Sequence, residues 1–306
     1  MEILRHFPAH AKTPCVLAIG NFDGVHIGHQ AVFQRLIDQA QSLNITSCVM
    51  TFEPHPREFF TPEQAPARLT SLREKLELME AAGVQKVHVC HFDAAFAAMS
   101  AEAFMANILH QALAVKRVMV GEDFRFGSKR SGDLNTLKAG GANFNFGVEP
   151  ISPVMLAGER ISSTTVRQAL ATGNLALAKT LLGRDYSISG HVVHGDKLGR
   201  TLGYPTANVQ MHHDQPPLTG IYAVTLSGVG ANPIPGVASL GVRPTVKTNG
   251  KPTLEVHLFD FNADIYNQHV RVHFLHKIRD ELKFANVEEL KRHMRLDEQA
   301  ARAFLA

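Results

Sequence analysis

The segment CVLAIGNFDGVHIGHQ, residues 15–30, decides the fold of the first half of the chain. Its first five residues are apolar and predict a buried strand, and residues 27–42 have the spacing of a helix. Gly20 and Gly24 lie between the two, where glycine lets the backbone turn and approach a ligand closely. Because the first amides of a helix have no intrahelical partner and attract anions, the segment predicts a phosphate-binding turn.

The rest of the first half continues the alternation of short apolar strands with helices. Such alternation implies βαβ units and a parallel sheet. Further strands are predicted over 45–52, 86–91 and 116–120, and helices over 70–82 and 100–113. Two short helices joined at Gly173-Asn174 are predicted within 161–183.

The character of the chain changes after about Gly183. Short β-rich segments separated by Gly, Pro or Asn indicate an antiparallel sheet or a small barrel. These segments cover 186–194, 220–227, 235–241, 253–261 and 268–278, and a terminal helix is predicted over 287–305. We therefore predict two domains, residues 1–184 and residues 185–306.

Composition excludes several classes of protein. The length of 306 residues suits two domains, and a net charge of +3 is too small to mark a nucleic-acid binder. The three cysteines are far apart and form no disulfide framework, which favours a reducing compartment. The start of the chain lacks the apolar core of a secretion signal, and no apolar run approaches the length of a membrane span.

The 17 histidines require a choice between metal, proton transfer and phosphate binding. The spacing HxxH occurs four times, so it is weak evidence alone, and three of the pairs fall in predicted strands, where such residues point to opposite faces. Only His26 and His29 lie at a strand-to-helix junction, where they share a face of the first turn. With no third ligand nearby in sequence, we expect them to bind phosphate rather than zinc.

The string GNFDGVHIGHQ, residues 20–30, resembles the HxGH signature of the nucleotidylyltransferases. It is similar in particular to the prokaryotic bifunctional riboflavin kinase/FAD synthetase family. The resemblance implies that His26 and His29 stabilise the phosphate charge of ATP as pyrophosphate leaves. It also implies that Gly20, Phe22 and Gly24 contribute to the ATP site.

The segment ISSTTVR, residues 161–167, is a second candidate phosphate site. Ser162, Ser163 and Thr164 are natural helix caps, and capping alone would explain them. Arg167, placed in the first turn of the predicted helix, opposes the helix dipole unless an anion binds there. The segment resembles the ISSTxxR signature of the same superfamily, which implies that these four residues bind the ATP phosphates.

Two further segments are similar to the flavin-binding motifs of the adenylyltransferase half. TFEPHPREFF, residues 51–60, contains Pro54 and Pro56, which stiffen a predicted loop. GEDFRFGSKRSGD, residues 121–133, follows the fourth predicted strand, where α/β proteins bind ligands. The resemblance implies flavin contacts from Pro54, Pro56, Asp123, Phe124, Arg125 and Phe126, and ordinary core packing is the alternative for the aromatic rings.

The segment GDKLGRTLGYPTANV, residues 195–209, predicts a flexible loop that leads into a strand. It is not a Walker loop, since GxxxxGK[ST] does not occur in the sequence. PTAN, residues 205–208, resembles the riboflavin kinase module, which implies that Thr206 and Asn208 hold Mg²⁺ and nucleotide phosphates. The longer match implies ATP contacts from Gly195, Lys197, Gly199 and Arg200.

Glu255 lies in TLEVHLFDF, residues 253–261, where apolar and polar residues alternate. The alternation places Glu255 on the face opposite Leu254 and Val256, and a solvated glutamate is the ordinary explanation. The strand resembles the E-V-H-L-x-D-F strand of the kinase module, whose glutamate is the proposed base for the ribityl 5′-hydroxyl. The segments GIYAV, 220–224, and SLGVRPTV, 239–246, also match the module.

The resemblance implies a Rossmann-like nucleotidylyltransferase domain followed by a Greek-key-type riboflavin kinase barrel. The implied enzyme converts riboflavin and ATP to FMN, then FMN and ATP to FAD, with Mg²⁺. A flavin-binding carrier or regulator with inactive sites is the alternative of another class. We expect a cytoplasmic protein with small-molecule substrates and neither a nucleic-acid nor a membrane partner, and leave open whether it forms a homo-oligomer.

Overall fold

The computed structural model describes residues 1–156, 158–195, 199, 202–211, 215–242 and 252–306. The chain divides into two compact units. The first comprises residues 1–66 and 72–162, and the second comprises residues 67–71 and 163–306. The domain boundary predicted between residues 184 and 185 stays a prediction. Among the described residues, no helix combines the length and the apolar character that crossing a membrane requires.

The first unit is built on a six-stranded parallel sheet, as the alternating pattern predicts. Its strands lie in the order β1-β4-β3-β2-β5-β6. They are β1 (Glu2–Leu4), β2 (Cys15–Ile19), β3 (Thr46–Glu53), β4 (Lys86–His91), β5 (Val115–Gly121) and β6 (Gly147–Ile151). The sequence predicts the four inner strands but not β1 and β6, which form the two edges.

Helices cover both faces of this sheet. They are α1 (Ile27–Ser42), α2 (Pro56–Phe60), α3 (Leu72–Ala81), α4 (Ala94–Ala98), α5 (Ala101–Ala103, continued by a π-helix over Phe104–Ala112) and α6 (Leu134–Phe144). Short 3₁₀ turns occur at Pro62–Gln64 and Ser128–Arg130, and β7 (Met155–Leu156) and β8 (Glu159–Arg160) form a small antiparallel pair.

The inner strands are buried on both sides because alternate residues enter two separate cores. Leu17 and Met50 pack with the π-helical segment, whereas Val16 and Val49 pack with α1 and α3. Strands β2, β3 and β5 are parallel, so the segments that follow them meet at one edge of the sheet. Three of the four segments singled out in this half of the sequence follow these strands, and the fourth, at 161–167, follows the β7–β8 pair.

The second unit begins with a helix pair and continues as a closed six-stranded barrel. Its elements are α7 (Ser163–Ala171), α8 (Leu175–Leu182), β9 (Tyr186–Val193), β10 (Ala207–Gln210), β11 (Gly220–Ser227), β12 (Ile234–Val242), β13 (Pro252–Leu258), β14 (His269–Arg279) and α9 (Val287–Leu305). The strand order is β10-β13-β12-β11-β14-β9, with antiparallel neighbours throughout.

The barrel contains a Greek key. Strands β11, β12 and β13 are consecutive neighbours, and β14 returns to lie beside β11, which is the spatial order that defines the motif. Helix α9 packs on the outside of the barrel, where Ala301 joins a small apolar cluster with Ala223 and Phe259. The barrel fold and the terminal helix are therefore confirmed.

Candidate active sites

The turn between β2 and α1 is held tightly against the sheet. The amide of Gly20 donates to the carbonyl of Met50 at 3.1 Å. Phe22, Gly24 and Val25 have φ angles of 49°, 79° and 41°, a left-handed region that is costly for a β-branched residue such as valine. The Phe22 and Val25 side chains are buried in the core beside α1, which offsets that cost. The turn is thus fastened to the sheet by a backbone hydrogen bond and by two buried side chains.

His26 and His29 form a stacked pair at the start of α1. His26 is the N-cap residue, and its Nδ1 accepts a hydrogen bond from the amide of His29 at 3.3 Å. The two rings lie 3.6 Å apart, centroid to centroid, with planes 20° from parallel. Because Nδ1 of His26 accepts, the neutral ring carries its proton on Nε2 and presents a donor there.

The environment keeps His29 uncharged. Burial, followed by the nearby His26 and Lys75, lowers the pKa of His29 well below its usual value. Nδ1 of His29 is buried and, among the described residues, has no hydrogen-bond partner. An unsatisfied buried ring nitrogen is costly, so this pair is suited to a ligand that completes its hydrogen bonding.

Sequence reasoning missed a buried polar chain behind this pair. Lys75 Nζ donates to Thr51 Oγ1 at 3.4 Å, and Thr51 Oγ1 donates to the carbonyl of Asn21 at 3.1 Å. The sequence does contain a sign of this buried lysine, because Lys75 interrupts the apolar face that Leu72, Leu76 and Met79 form at helical spacing.

The TFEPHP segment forms a capped helix rather than a loop. Pro56 is the first residue of α2, a position that proline favours because its missing amide proton is not needed there. His55 caps the helix by accepting from the amide of Arg57 at 3.1 Å, and Glu58 Oε2 accepts from the amide of His55 at 3.0 Å. The loop expected around Pro54 and Pro56 is therefore wrong for Pro56.

The GEDFRF segment divides into a buried and an exposed part. Phe126 is buried in the core and packs on Phe104 with ring centroids 5.5 Å apart. For this ring the structure agrees with core packing, the alternative to flavin contact. Phe124 is partly buried and stacks on Phe126 at 5.5 Å. Asp123 and Arg125 are exposed, and Asp123 lies 3.9 Å from Arg160. Flavin contacts from these residues stay a prediction.

The ISSTTVR segment starts α7, but not in the way the sequence suggests. The helix begins at Ser163, so Ser162 takes the cap position and Thr164 lies in the first turn. Arg167 lies one turn into the helix, where the dipole has little effect, so the argument from dipole repulsion is wrong. Its Nε donates to the carbonyl of Ala67 at 2.6 Å.

Strands β10 and β13 assemble the second candidate site on the outer surface of the barrel. Asn208 and Glu255 are directly opposite each other, and Ser239 flanks Glu255 on the other side. Leu254 and Val256 point into the barrel, which confirms the predicted outward direction of Glu255. Thr206 Oγ1 donates to Glu255 Oε2 at 3.5 Å, so three oxygen-bearing side chains converge.

Glycines give this site its shape. A Cβ atom on Gly195 would lie 2.4 Å from Nδ2 of Asn208, and one on Gly199 would lie 2.3 Å from the carbonyl of Tyr204. The chain therefore passes close above the Asn208 amide. Lys197 and Arg200, and the end of the SLGVRPTV segment at 243–246, lie outside the described residues.

A cavity of about 250 Å³ adjoins Thr206 and Glu255. Its opposite wall comes from the segment after β14 and from α9, and includes Phe284, Leu290 and Met294. Arg279 and Asp297 lie at its border and form a two-point ion pair at 2.8 and 2.6 Å. A mostly apolar cavity beside a carboxylate suits an organic molecule that places a polar group against that carboxylate.

Two of the three other HxxH pairs, His88/His91 and His273/His276, have side chains that serve packing or hydrogen bonding within the fold. His88 is buried and stacks on Phe7 at 5.4 Å, whereas His91 on the same strand is exposed. His273 Nε2 lies 3.0 Å from Ser227 Oγ, and His276 stacks on Phe304 at 4.7 Å. Among the described residues, no cluster of three His, Cys, Asp or Glu side chains could hold a metal ion, and all three cysteines are free thiols.

Family models match the two halves of the chain separately, and known proteins match the chain over its full length. A family model described as FAD synthetase matches residues 9–165, and one described as riboflavin kinase matches residues 182–305. The chain is 47% identical over 307 aligned residues to the bifunctional riboflavin kinase/FMN adenylyltransferase of Escherichia coli K12, covering 99% of this chain and 98% of the relative. The chain belongs to this bifunctional family.

Other members of the family are similarly related. The Haemophilus influenzae protein of the same name is 47% identical over 99% of both chains, and the Pseudomonas fluorescens protein is 48% identical over 95% of this chain and 93% of its own. A crystal structure titled macrolide-efflux protein from Streptococcus pneumoniae is 31% identical, covers 99% of both chains and superposes with a TM-score of 0.81.

Proposed function

We propose that this protein carries out both reactions for which its family is named. Riboflavin is phosphorylated by ATP to give FMN and ADP, and FMN then receives an adenylyl group from a second ATP to give FAD and pyrophosphate. The observation that carries the proposal is the presence, in one chain, of matches to both enzyme models over separate ranges. The full-length identity of 47% to relatives of that name supports it.

Adenylyl transfer is assigned to the edge of the parallel sheet. A phosphate oxygen of FMN attacks the α-phosphorus of ATP, the bond from that phosphorus to the bridging oxygen breaks, and pyrophosphate leaves. This chemistry needs orientation and charge neutralisation more than a general base. His26 and His29, the amides that begin α1, and Gly20, Phe22 and Gly24 are proposed to bind the ATP phosphates.

The remaining contacts of this reaction are assigned from the family motifs. Ser162, Ser163, Thr164 and Arg167 are proposed to bind ATP phosphates. Pro54, Pro56 and the 123–126 segment are proposed to bind the flavin, with the partly buried Phe124 ring better placed than the core residue Phe126.

Riboflavin phosphorylation is assigned to the outer face of the barrel. Glu255 accepts the proton of the ribityl 5′-hydroxyl while that oxygen attacks the γ-phosphorus of ATP and ADP leaves. The cavity beside Glu255 is proposed to bind the flavin ring system, and the Asn208 amide, which Gly195 approaches closely, is proposed to contact the nucleotide phosphates. Gly199, Lys197 and Arg200 are assigned to ATP by resemblance.

The donor set of this site fits Mg²⁺. Thr206 and Asn208 offer neutral oxygens beside the Glu255 carboxylate, and Mg²⁺ prefers few protein oxygens together with phosphates and water. When bound, Mg²⁺ would neutralise charge on the transferring phosphate. Thr206 and Asn208 are proposed to hold it, while the hydrogen bond from Thr206 orients the Glu255 carboxylate.

The full-length protein, incubated with riboflavin, ATP and MgCl₂, tests the proposal by product chromatography. FMN followed by FAD is the expected result, and FMN added directly should give FAD and pyrophosphate. Formation of neither product would favour the flavin carrier instead. Cell fractionation tests the proposed cytoplasmic location.

A further inference from the structure

Lys75 occupies a position in α3 that an apolar residue would ordinarily fill. Only 6% of its surface is exposed, and its neighbours on the sheet-facing side of the helix, Leu76 and Met79, belong to the core. Burying an ammonium group costs free energy that an apolar side chain of similar size would not. A cation at this position is therefore better explained by an interaction than by packing.

The interaction leads into the turn that precedes α1. Lys75 Nζ donates to Thr51 Oγ1 at 3.4 Å, and Thr51, which is fully buried near the carboxyl end of β3, donates to the carbonyl of Asn21 at 3.1 Å. Asn21 lies in the turn that carries His26 and His29. The ammonium group is thus linked to the backbone of the turn through one hydroxyl group.

The charge of Lys75 also acts on the histidine pair. The ammonium group opposes protonation of His29 and so helps to lower the pKa of that ring, after the larger effects of burial and of His26. The same positive potential favours negative charge on a phosphate bound at His29, where the proposed function assigns one, and the buried ammonium is already in place before the reaction.

We propose that Lys75 is a positioning residue for adenylyl transfer. Through Thr51 it fixes the carbonyl of Asn21 and with it the orientation of the His26–His29 pair, and its buried charge stabilises the phosphate charge that develops as pyrophosphate leaves. This inference rests on the proposed function, which assigns that step to the same turn.

Substitution of Lys75 tests the inference in the full-length protein. Lys75→Met keeps the length of the side chain and removes its charge. We expect the kcat of FAD formation from FMN to fall roughly 10- to 100-fold, with the KM for ATP changing much less, because the charge acts mainly in the transition state. Riboflavin phosphorylation in the same preparation should be unchanged, and Lys138→Met, at an exposed lysine of α6, is the matched control.

Substitutions of Thr51 distinguish loss of the hydrogen-bonded link from a general effect on folding. Thr51→Val removes the hydroxyl at constant shape and should lower the kcat of FAD formation roughly tenfold, whereas Thr51→Ser keeps the hydroxyl and should restore most of it. In a double-mutant cycle, Lys75→Met should cost less in the Thr51→Val background than in the wild type, because both act through one link.

The possible results decide between the two proposals. If the wild type makes no FAD, the proposed function fails. If the wild type makes FAD and Lys75→Met stays within twofold of it, the positioning role is wrong. If Lys75→Met does not fold, equal activities for Thr51→Val and Thr51→Ser would overturn the link. Additive effects in the cycle would also overturn it.

Discussion

Asn208 and Glu255 are directly opposite each other in the antiparallel pair formed by β10 and β13. Residues opposite each other in such a pair project to the same face of the sheet. The amide and the carboxylate are therefore neighbours on the outside of the barrel, and Thr206, two residues before Asn208, joins them by a hydrogen bond to Glu255. Two short strands thus place phosphate-binding and proton-accepting groups side by side.

Loss of the Glu255 carboxylate should separate the two activities. Glu255→Gln is expected to lower FMN formation from riboflavin by at least about 100-fold, because a positioned base contributes that much or more. FAD formation from supplied FMN should remain, since His26 and His29 belong to the other unit. Chromatography of both reactions checks this, and parallel loss of both activities would contradict it.

Loss of the His29 ring should have the opposite effect. His29→Ala is expected to lower FAD formation from FMN by roughly 100- to 1000-fold, the typical cost of removing one group that stabilises transition-state charge. Riboflavin phosphorylation provides the control in the same sample. Unchanged FAD synthesis would remove this residue from the adenylyltransferase site.

Gly195 should not tolerate a side chain. In Gly195→Ala the new Cβ would meet the Asn208 amide at 2.4 Å, and displacement of that amide should lower kcat/KM for riboflavin phosphorylation at least about tenfold. Gly230→Ala is the matched control, because nothing lies within 4 Å of its Cβ position. Steady-state kinetics of the two variants, compared with wild type, would show equal activities if the close approach were unimportant.

His88 should make the first unit less stable in mild acid. Burial, followed by the charge of Lys86, lowers the pKa of His88 to about 4, whereas the unfolded chain has a value near 6.5. The unfolded state therefore binds the proton first as the pH falls below 6.5, and the free energy of unfolding should drop by at most about 2 kcal/mol by pH 5. Urea titrations at pH 7.5 and pH 5 measure this.

The histidine three residues later supplies the control. His88→Gln should reduce the loss of stability between the two pH values, while His91→Gln, at an exposed position of the same strand, should leave it as in the wild type. Equal losses in the wild type and in His88→Gln would exclude His88 as the source.

Two ion pairs that involve α9 should differ in their contribution to stability. Asp297 is 8% exposed and pairs with Arg279, so Asp297→Ala leaves a guanidinium without its partner and should cost about 3 kcal/mol or more of unfolding free energy. Asp260 is 80% exposed in its pair with Arg302, and Asp260→Ala should change the stability little. Urea unfolding of both variants would refute the distinction if the losses were alike.

The sequence predicts those helices and strands in which the spacing of apolar residues matches the residues that the fold buries. The glycines before residue 27 and the apolar stripe within 27–42 predict helix α1, which has those bounds in the structure. Strand β13 is predicted over 253–261 and extends over Pro252–Leu258, and its strict alternation predicts the outward face of Glu255 correctly.

Strand β6 and helix α2, which both contain proline, are not predicted from the sequence, for a common reason. Strand β6 includes Pro150, and α2 begins at Pro56, so both read as loops. Proline is tolerated in β6 because the strand forms an edge of the sheet, and in α2 because it is the first helical residue. Neither condition can be known before the strand order and the cap are seen.

The candidate sites were predictable only where a continuous motif carries them. His26, His29, Thr206 and Glu255 each lie in a string long enough to resemble a family signature. Lys75 lies in no such string. Its hydrogen-bonded link to Asn21, 54 positions earlier in the chain, depends on the packing of α3 against β3.

The alternation in β13 has a consequence for insertions and deletions. Leu254 and Val256 fill the barrel, whereas Glu255 and His257 face outward, so one side of the strand packs the core and the other carries the candidate site. A single substitution can change the packing of the core without changing the candidate site, or the reverse. A one-residue insertion ahead of Glu255, in contrast, would exchange the two sides and turn the carboxylate inward. Length variation among related proteins should therefore avoid this strand, and fall in the connections between strands.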